Sequence, residues 1–184
     1  IMMAVKGQRN IKPDRLPERI GVLFTDILGQ SNVRRKKWPG LAHALIFFGF
    51  LAVQPHSLEM MIQGVFHGFS VANVFPGAYG FYLRVVDVLA FLVLVGLGYG
   101  LYRRLVLKPR YLTNGLDAKL IILFTAVIII TFHLYNAFHL TLPALDFDYG
   151  HYFSVSAGIS GLLGLSGLPL PARAAGMEVF YWLH

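Results

Sequence analysis

The sequence predicts an all-α membrane protein, a bundle of transmembrane helices, on three observations. Of 184 residues, 56% are hydrophobic and only 14% charged, with a mean hydropathy of +0.61, whereas a soluble domain carries about a quarter charged residues. Three apolar runs reach the roughly 20 helical residues that cross a bilayer. The charges then alternate between connectors: residues 1–37 hold nine Lys/Arg against three acids, 102–119 five against one, 65–82 none, and 143–178 one Arg against three acids. That asymmetry assigns 1–37 and 102–119 to the cytoplasmic side, and 65–82 and 143–174 to the outside. The net charge of +7 is gathered at membrane boundaries instead of along one basic face, which excludes a nucleic-acid partner.

Residues 1–38 read as a cytoplasmic basic connector, ending in the cluster Arg34-Arg35-Lys36-Lys37. The opening Ile1-Met2-Met3-Ala4-Val5 resembles the tail of an earlier hydrophobic segment. No charged head precedes it, as a signal peptide would require, so the chain is expected to be an interior piece of a longer polypeptide. Residues 39–184 form the predicted bundle. Its first span, about 39–64, contains Pro55, which removes a backbone donor and should kink or loosen the helix. The second, about 84–106, opens with Arg84 and Asp87, an i,i+3 pair expected to neutralise itself near the outer interface. It closes on Tyr102-Arg103-Arg104 and Lys108-Pro109-Arg110, aromatic and cationic residues of the kind that stop a span. Gly96, Gly98 and Gly100 precede that end and allow a second helix, or a flat cofactor, to approach closely. The third span covers about 117–141. Between 143 and 172 the chain is rich in Gly, Ser and Pro, which predicts a re-entrant or short-helical cover. Near 175 the stretch MEVFYWLH begins a further helix that stops at His184, so the bundle has three complete spans and the start of another.

The chain has no cysteine. Disulfides, thiolate zinc sites and iron–sulfur ligation are therefore excluded within it, and any iron–sulfur cluster must sit on residues outside this chain. Seven histidines are the metal-ligand supply. An imidazole in an apolar run is costly unless something engages it. His43 lies about four residues, or ~6 Å, inside the cytoplasmic edge. His133 lies about eight residues below the outer end of the third span, His139 about two, and His184 about eight below the outer start of the fourth. His133 and His184 thus share a level. Bis-histidine ligation of a b-type haem is the chemistry such a layout supports, since iron takes two axial nitrogens from facing helices. The alternative for each histidine is a hydrogen bond to a neighbouring helix.

The order WPGLAHALIFFGF, a helix ending YRRLVLKPR, then GLDAKLIIL and finally YWLH resembles the membrane domain of the nitrate reductase gamma subunit superfamily, a five-helix, b-haem-binding cytochrome b-like domain. The resemblance is stronger to the version fused to heterodisulfide-reductase-like iron–sulfur domains, with LGQSNVRRKKWPG ahead of the haem-bearing helix. It covers most of residues 20–184. It implies a quinone-linked electron-transfer protein of the prokaryotic cytoplasmic (inner) membrane, working with an iron–sulfur domain or subunit and an electron-transferring flavoprotein. It implies one or two b haems, with His43 and His184 as iron ligands. His43 would pair with a histidine near the cytoplasmic end of the last helix, beyond His184. His184 would pair with a residue ten positions after His43, which here is Val53, unless His133 or His139 substitutes. Gly49, Phe47 and Phe50 would then shape the porphyrin slot.

His56 and Glu59, past the proline, are candidates for proton exchange with a quinone, whose reduction consumes protons. Their plain alternative is an outer helix end meeting the interface. His67 falls in the following loop, Asn136 could orient His133 or bridge two helices, and His151 is expected to be solvated. The competing function is a cofactor-free anchor that docks a soluble redox partner on the bilayer.

Overall fold

The computed structural model describes residues 15–29, 37–110, 115–143 and 152–184. Among them the secondary structure is helical and contains no strand. The chain divides into two compact units, Ile1–Gly40 and Leu41–His184. Helix α1, Leu16–Val22, has a proline in its first turn, where the missing N–H is one of the unpaired donors anyway. It continues as a π-helical turn over Leu23–Leu28. The LGQSNVRRKK stretch falls outside the described residues from position 30 to 36.

Helices α2 (Lys37–Val65), α3 (Pro76–Tyr102, extended to Leu107 by a π-helical turn) and α4 (Leu116–His139) are each long and apolar enough to cross a membrane. Their lengths follow from uninterrupted apolar runs of helix formers, because a backbone in hydrocarbon must satisfy its own hydrogen bonds. α2 runs through Pro55 without ending. A proline cannot donate to the carbonyl four residues back, which loosens the ladder on that turn. Beside it the Tyr82 hydroxyl donates to the Ala52 carbonyl at 2.9 Å. α3 starts eight residues before the predicted position 84: Pro76 sits in its first turn, and the charges that suggested a later boundary are accommodated within the helix.

Two glycines set the α2–α3 crossing. Gly49 is buried against Val93, with the Leu89 carbonyl 3.1 Å from where a Cβ would stand. Gly96 faces α2 in turn, and its Cβ would meet the Ala42 carbonyl at 3.0 Å and Ile46 at 3.1 Å. Small residues on both helices let the backbones come together. The close-packing reading of Gly96 holds, and Gly49 is spent on the α2–α3 contact.

The Gly/Ser/Pro-rich region folds in part as the predicted short-helical cover, α5 over Ser154–Leu162, followed by a 3₁₀ turn at Leu165–Gly167. α5 packs on α3 and α4, and α6, Leu170–Leu183, packs along α4. Gly176 makes room for Phe138, whose ring stacks on Phe180 at 5.7 Å. The core centres on Leu83, Val86, Ala90 and Val93 of α3 with Ile129 and Phe132 of α4 and Phe153.

Candidate functional site

The proline-containing turn of α2 carries two polar side chains inward: His56 is 6% exposed and Glu59 2%. Their i,i+3 spacing puts both on one helix face, with His56 Nδ1 3.7 Å from Glu59 Oε2. Buried carboxylates demand donors, and the α2–α3 connector supplies them. The Val71 N–H donates to Glu59 Oε1 at 2.8 Å and the Ser70 hydroxyl at 3.3 Å. The Tyr79 hydroxyl of α3 donates to Oε2. Ser70 also caps the short 3₁₀ turn Val71–Asn73 by accepting the Ala72 N–H at 3.2 Å. Glu59 therefore ties α2, the connector and α3 together. These residues are not polar by exposure at an outer helix end, because both side chains are enclosed.

Neither ring nitrogen of His56 has a hydrogen-bond partner among the described residues. The ring lies edge-on to Phe132, centroids 5.7 Å apart, and 6.1 Å from Phe153. His184, arriving on α6, contacts the same Phe132 ring at 5.5 Å. Its Nδ1 is 3.0 Å from the Ile128 carbonyl and its Nε2 3.2 Å from the Ser57 hydroxyl. A carbonyl only accepts, so Nδ1 carries the proton and Nε2 presents a lone pair to Ser57. His184 thus sits level with Ile128 and Phe132, up to about a turn deeper than the level it was predicted to share with His133.

His133 turns to a second buried cluster. Asp87 is fully buried on α3 and caps the start of α5: the Val155 N–H donates to Oδ2 at 2.6 Å, and the Ser156 N–H and hydroxyl donate to Oδ1 at 3.3 and 2.7 Å. A carboxylate is well placed against the N-terminal N–H groups of a helix. His133 Nδ1 lies 3.0 Å from Ser156 Oγ and 3.4 Å from Asp87 Oδ1, while its buried Nε2 has no partner among the described residues. This corrects the expected Arg84–Asp87 pairing at an interface. Asp87 points into the bundle and accepts from the α5 donors with His133 beside it, whereas Arg84 is exposed and lies over the Tyr152 ring at 5.9 Å.

The other predicted residues are placed singly. His43 is exposed on α2, Phe50 is exposed and Phe47 half-buried. His139 is half-buried and stacks on Tyr135, ring centroids 5.4 Å apart. His67 is exposed. Asn136 donates to the Phe132 carbonyl of its own helix at 2.9 Å, so it neither orients His133 nor bridges helices by that bond. His151 lies outside the described residues. Among the described residues no group of three or more His, Cys, Asp or Glu is arranged to hold a metal ion. Sequence reasoning missed Tyr79, Tyr82, Ser70 and Ser156. The available signal was Asp87 and Glu59 themselves, since an acid within an apolar run must have donors somewhere.

No protein family's pattern matches the chain, and no solved structure matches it. Two curated proteins are similar to it. The probable iron-sulfur-binding oxidoreductase FadF of Bacillus subtilis is 28% identical over 182 residues, covering 97% of this chain and 24% of that protein. The EtfAB:quinone oxidoreductase of Syntrophomonas wolfei subsp. wolfei is 30% identical over 131 residues, covering 70% of this chain and 18% of that protein. The chain spans no more than about a quarter of the length of either relative. A helical chain with three helices able to cross a membrane is thus similar, at low identity, to part of two proteins named for iron–sulfur binding and for quinone oxidoreduction.

Proposed function

We propose that this chain is the b-haem-carrying membrane part of a quinone-linked oxidoreductase, passing electrons between an iron–sulfur or flavoprotein partner and the quinone pool of a prokaryotic cytoplasmic membrane. The observation that carries the reading is a group of three histidine rings around Phe132 in an apolar bundle: His56 of α2 at 5.7 Å, His184 of α6 at 5.5 Å and His133 of α4 at 5.4 Å. The names of the two relatives support the class.

Support for a b haem comes from the ring nitrogens that these histidines present. A ligating histidine ordinarily donates its second ring nitrogen to a carbonyl or carboxylate. His184 already does so to Ile128, leaving Nε2 on an exchangeable serine hydroxyl. In His56, Nδ1 lies toward Glu59 and Nε2 is unpaired. We therefore assign His184 and His56 as the outer pair; His133, whose Nδ1 is held by Ser156 beside Asp87 and whose Nε2 is unpartnered, is the alternative partner of His184. The stacking of His139 on Tyr135 gives that ring other work. We assign His43, on the opposite end of α2, as a ligand of the other haem. When bound, haem supplies one-electron redox chemistry. The chain's own residues orient the ligands, exclude water through Phe132 and Phe153, and hold a carboxylate, Glu59, by the connector, where it can exchange protons with a quinone head group. Clusters that feed electrons in must belong to the partner, because this chain has no cysteine.

The test is the haem-to-protein ratio from the reduced α-band of the purified chain. His43→Ala should remove one haem. His56→Ala and His184→Ala should lower the ratio equally, and the double variant should lose no more than either, because losing one axial ligand already releases the group. His133→Ala should keep full haem. If instead His133→Ala matches His184→Ala and His56→Ala does not, the pairing runs through His133. A colourless preparation would leave the cofactor-free anchor.

A further inference from the structure

Helix α1 and its π-helical continuation carry a feature the redox reading does not use. Leu16, Ile20, Leu23 and Phe24 recur at i, i+4, i+7 and i+8, which places them on one stripe of the helix. They remain 47–55% exposed, and α1 has no buried residue. Glu18, Thr25 and Asp26 occupy the opposite side, where Val22 is the one apolar member, and the cations Arg15 and Arg19 flank the stripe.

We infer that this stripe lies in the surface of an anionic bilayer, with its apolar side chains at the boundary between headgroups and acyl chains. Three observations select lipid as the occupant. The stripe is tethered to a span: α2 begins at Lys37, eight residues after Gly29, a stretch that reaches at most roughly 30 Å when fully extended. Charge is complementary in the flanking stretches: Arg15 and Arg19 of the helix are matched by Glu18 and Asp26, but residues 1–14 and 29–37 hold seven Lys/Arg against one acid, and cations beside an amphipathic helix are drawn to anionic headgroups. At the start of α2 the Lys37 ammonium lies 5.7 Å from the ring centroid of Trp38, which is 63% exposed. A tryptophan beside a cation is the usual marker of the membrane–water boundary. Long cations flanking an apolar stripe can bury their stems and keep their heads at the headgroups.

The chain has no cysteine, so a single thiol can be placed at will. Ile20→Cys, Leu23→Cys, Glu18→Cys and Asp26→Cys, all on the surface, are labelled with an environment-sensitive fluorophore. Each labelled chain is reconstituted into vesicles of phosphatidylcholine containing phosphatidylglycerol. Labels at 20 and 23 should emit at shorter wavelength and be quenched severalfold more by a lipid-borne quencher than by aqueous iodide, with the reverse at 18 and 26. The difference should fall in phosphatidylcholine alone and at high salt. Equal iodide quenching at 18 and 20 would overturn the inference. So would protection of residue 20 from both quenchers, which would mean that a second copy or another protein covers the stripe. A depth indifferent to anionic lipid would remove the electrostatic basis. None of these readouts depends on haem content.

Discussion

Replacing Asp87 by alanine should release α5 from the bundle while leaving the long helices in place. The carboxylate is fully buried and accepts from the Val155 N–H at 2.6 Å, the Ser156 hydroxyl at 2.7 Å and the Ser156 N–H at 3.3 Å, with His133 Nδ1 at 3.4 Å. A hydrogen bond to a charged group is worth about 1.5–3 kcal/mol in soluble proteins. Polar contacts inside membranes average nearer 0.6 kcal/mol. The bonds share one acceptor and do not add, so the loss is set at about 2–3 kcal/mol, mostly from donors left without an acceptor. That corresponds to roughly 30- to 150-fold faster opening. The assay is amide hydrogen exchange of the reconstituted protein, read over residues 155–162. Ser156→Ala should produce a smaller loss, and the double variant should fall well short of the sum, because both act through one carboxylate. Ser154→Ala, at an exposed position, is the control. Unchanged exchange in α5, or equal loosening across α3 and α4, would refute the assignment of Asp87 as the clamp on α5.

Further outcomes follow from the same contacts. Gly49→Val should destabilise the bundle by about 1–3 kcal/mol, the usual cost of overpacking, because its side chain would meet Val93 and the Leu89 carbonyl; thermal unfolding in detergent measures it, against Gly98→Ala, where no atom lies within 4 Å. Glu59→Ala should speed exchange of the Val71 and Ala72 amides by the equivalent of about 1–3 kcal/mol, since Val71, Ser70 and Tyr79 all lose their acceptor; Tyr79→Phe in that background should add little. For topology, a cysteine at Lys108 should react with an impermeant thiol reagent only from the cytoplasmic side, and one at His67 only from outside; the reverse pattern would invert the assignment.

The sequence by itself determined the class and the number of long apolar spans, though not where α3 begins. Apolar runs in a chain with 14% charged residues have no alternative to spanning helices, since hydrocarbon leaves the backbone only internal partners. It also excluded cysteine-ligated iron–sulfur clusters within this chain, because no cysteine is present. It did not determine which way the helices face. A span that is apolar all round shows no stripe to orient it, so nothing in the local pattern around Asp87 distinguished an interfacial pair with Arg84 from an inward clamp. Tertiary structure decided that, through Ser156, 69 residues away. His184 likewise meets Ile128 at a separation of 56 residues and Ser57 at 127, and the shared ring of Phe132 is visible only once α2, α4 and α6 are packed. Helical periodicity relates residues within a few turns; which residues of different helices meet depends on where the helices cross. In this protein Gly49 and Gly96 admit the close α2–α3 contact, and that crossing, together with the packing of α5 and α6 on α4, decides which buried polar groups find one another.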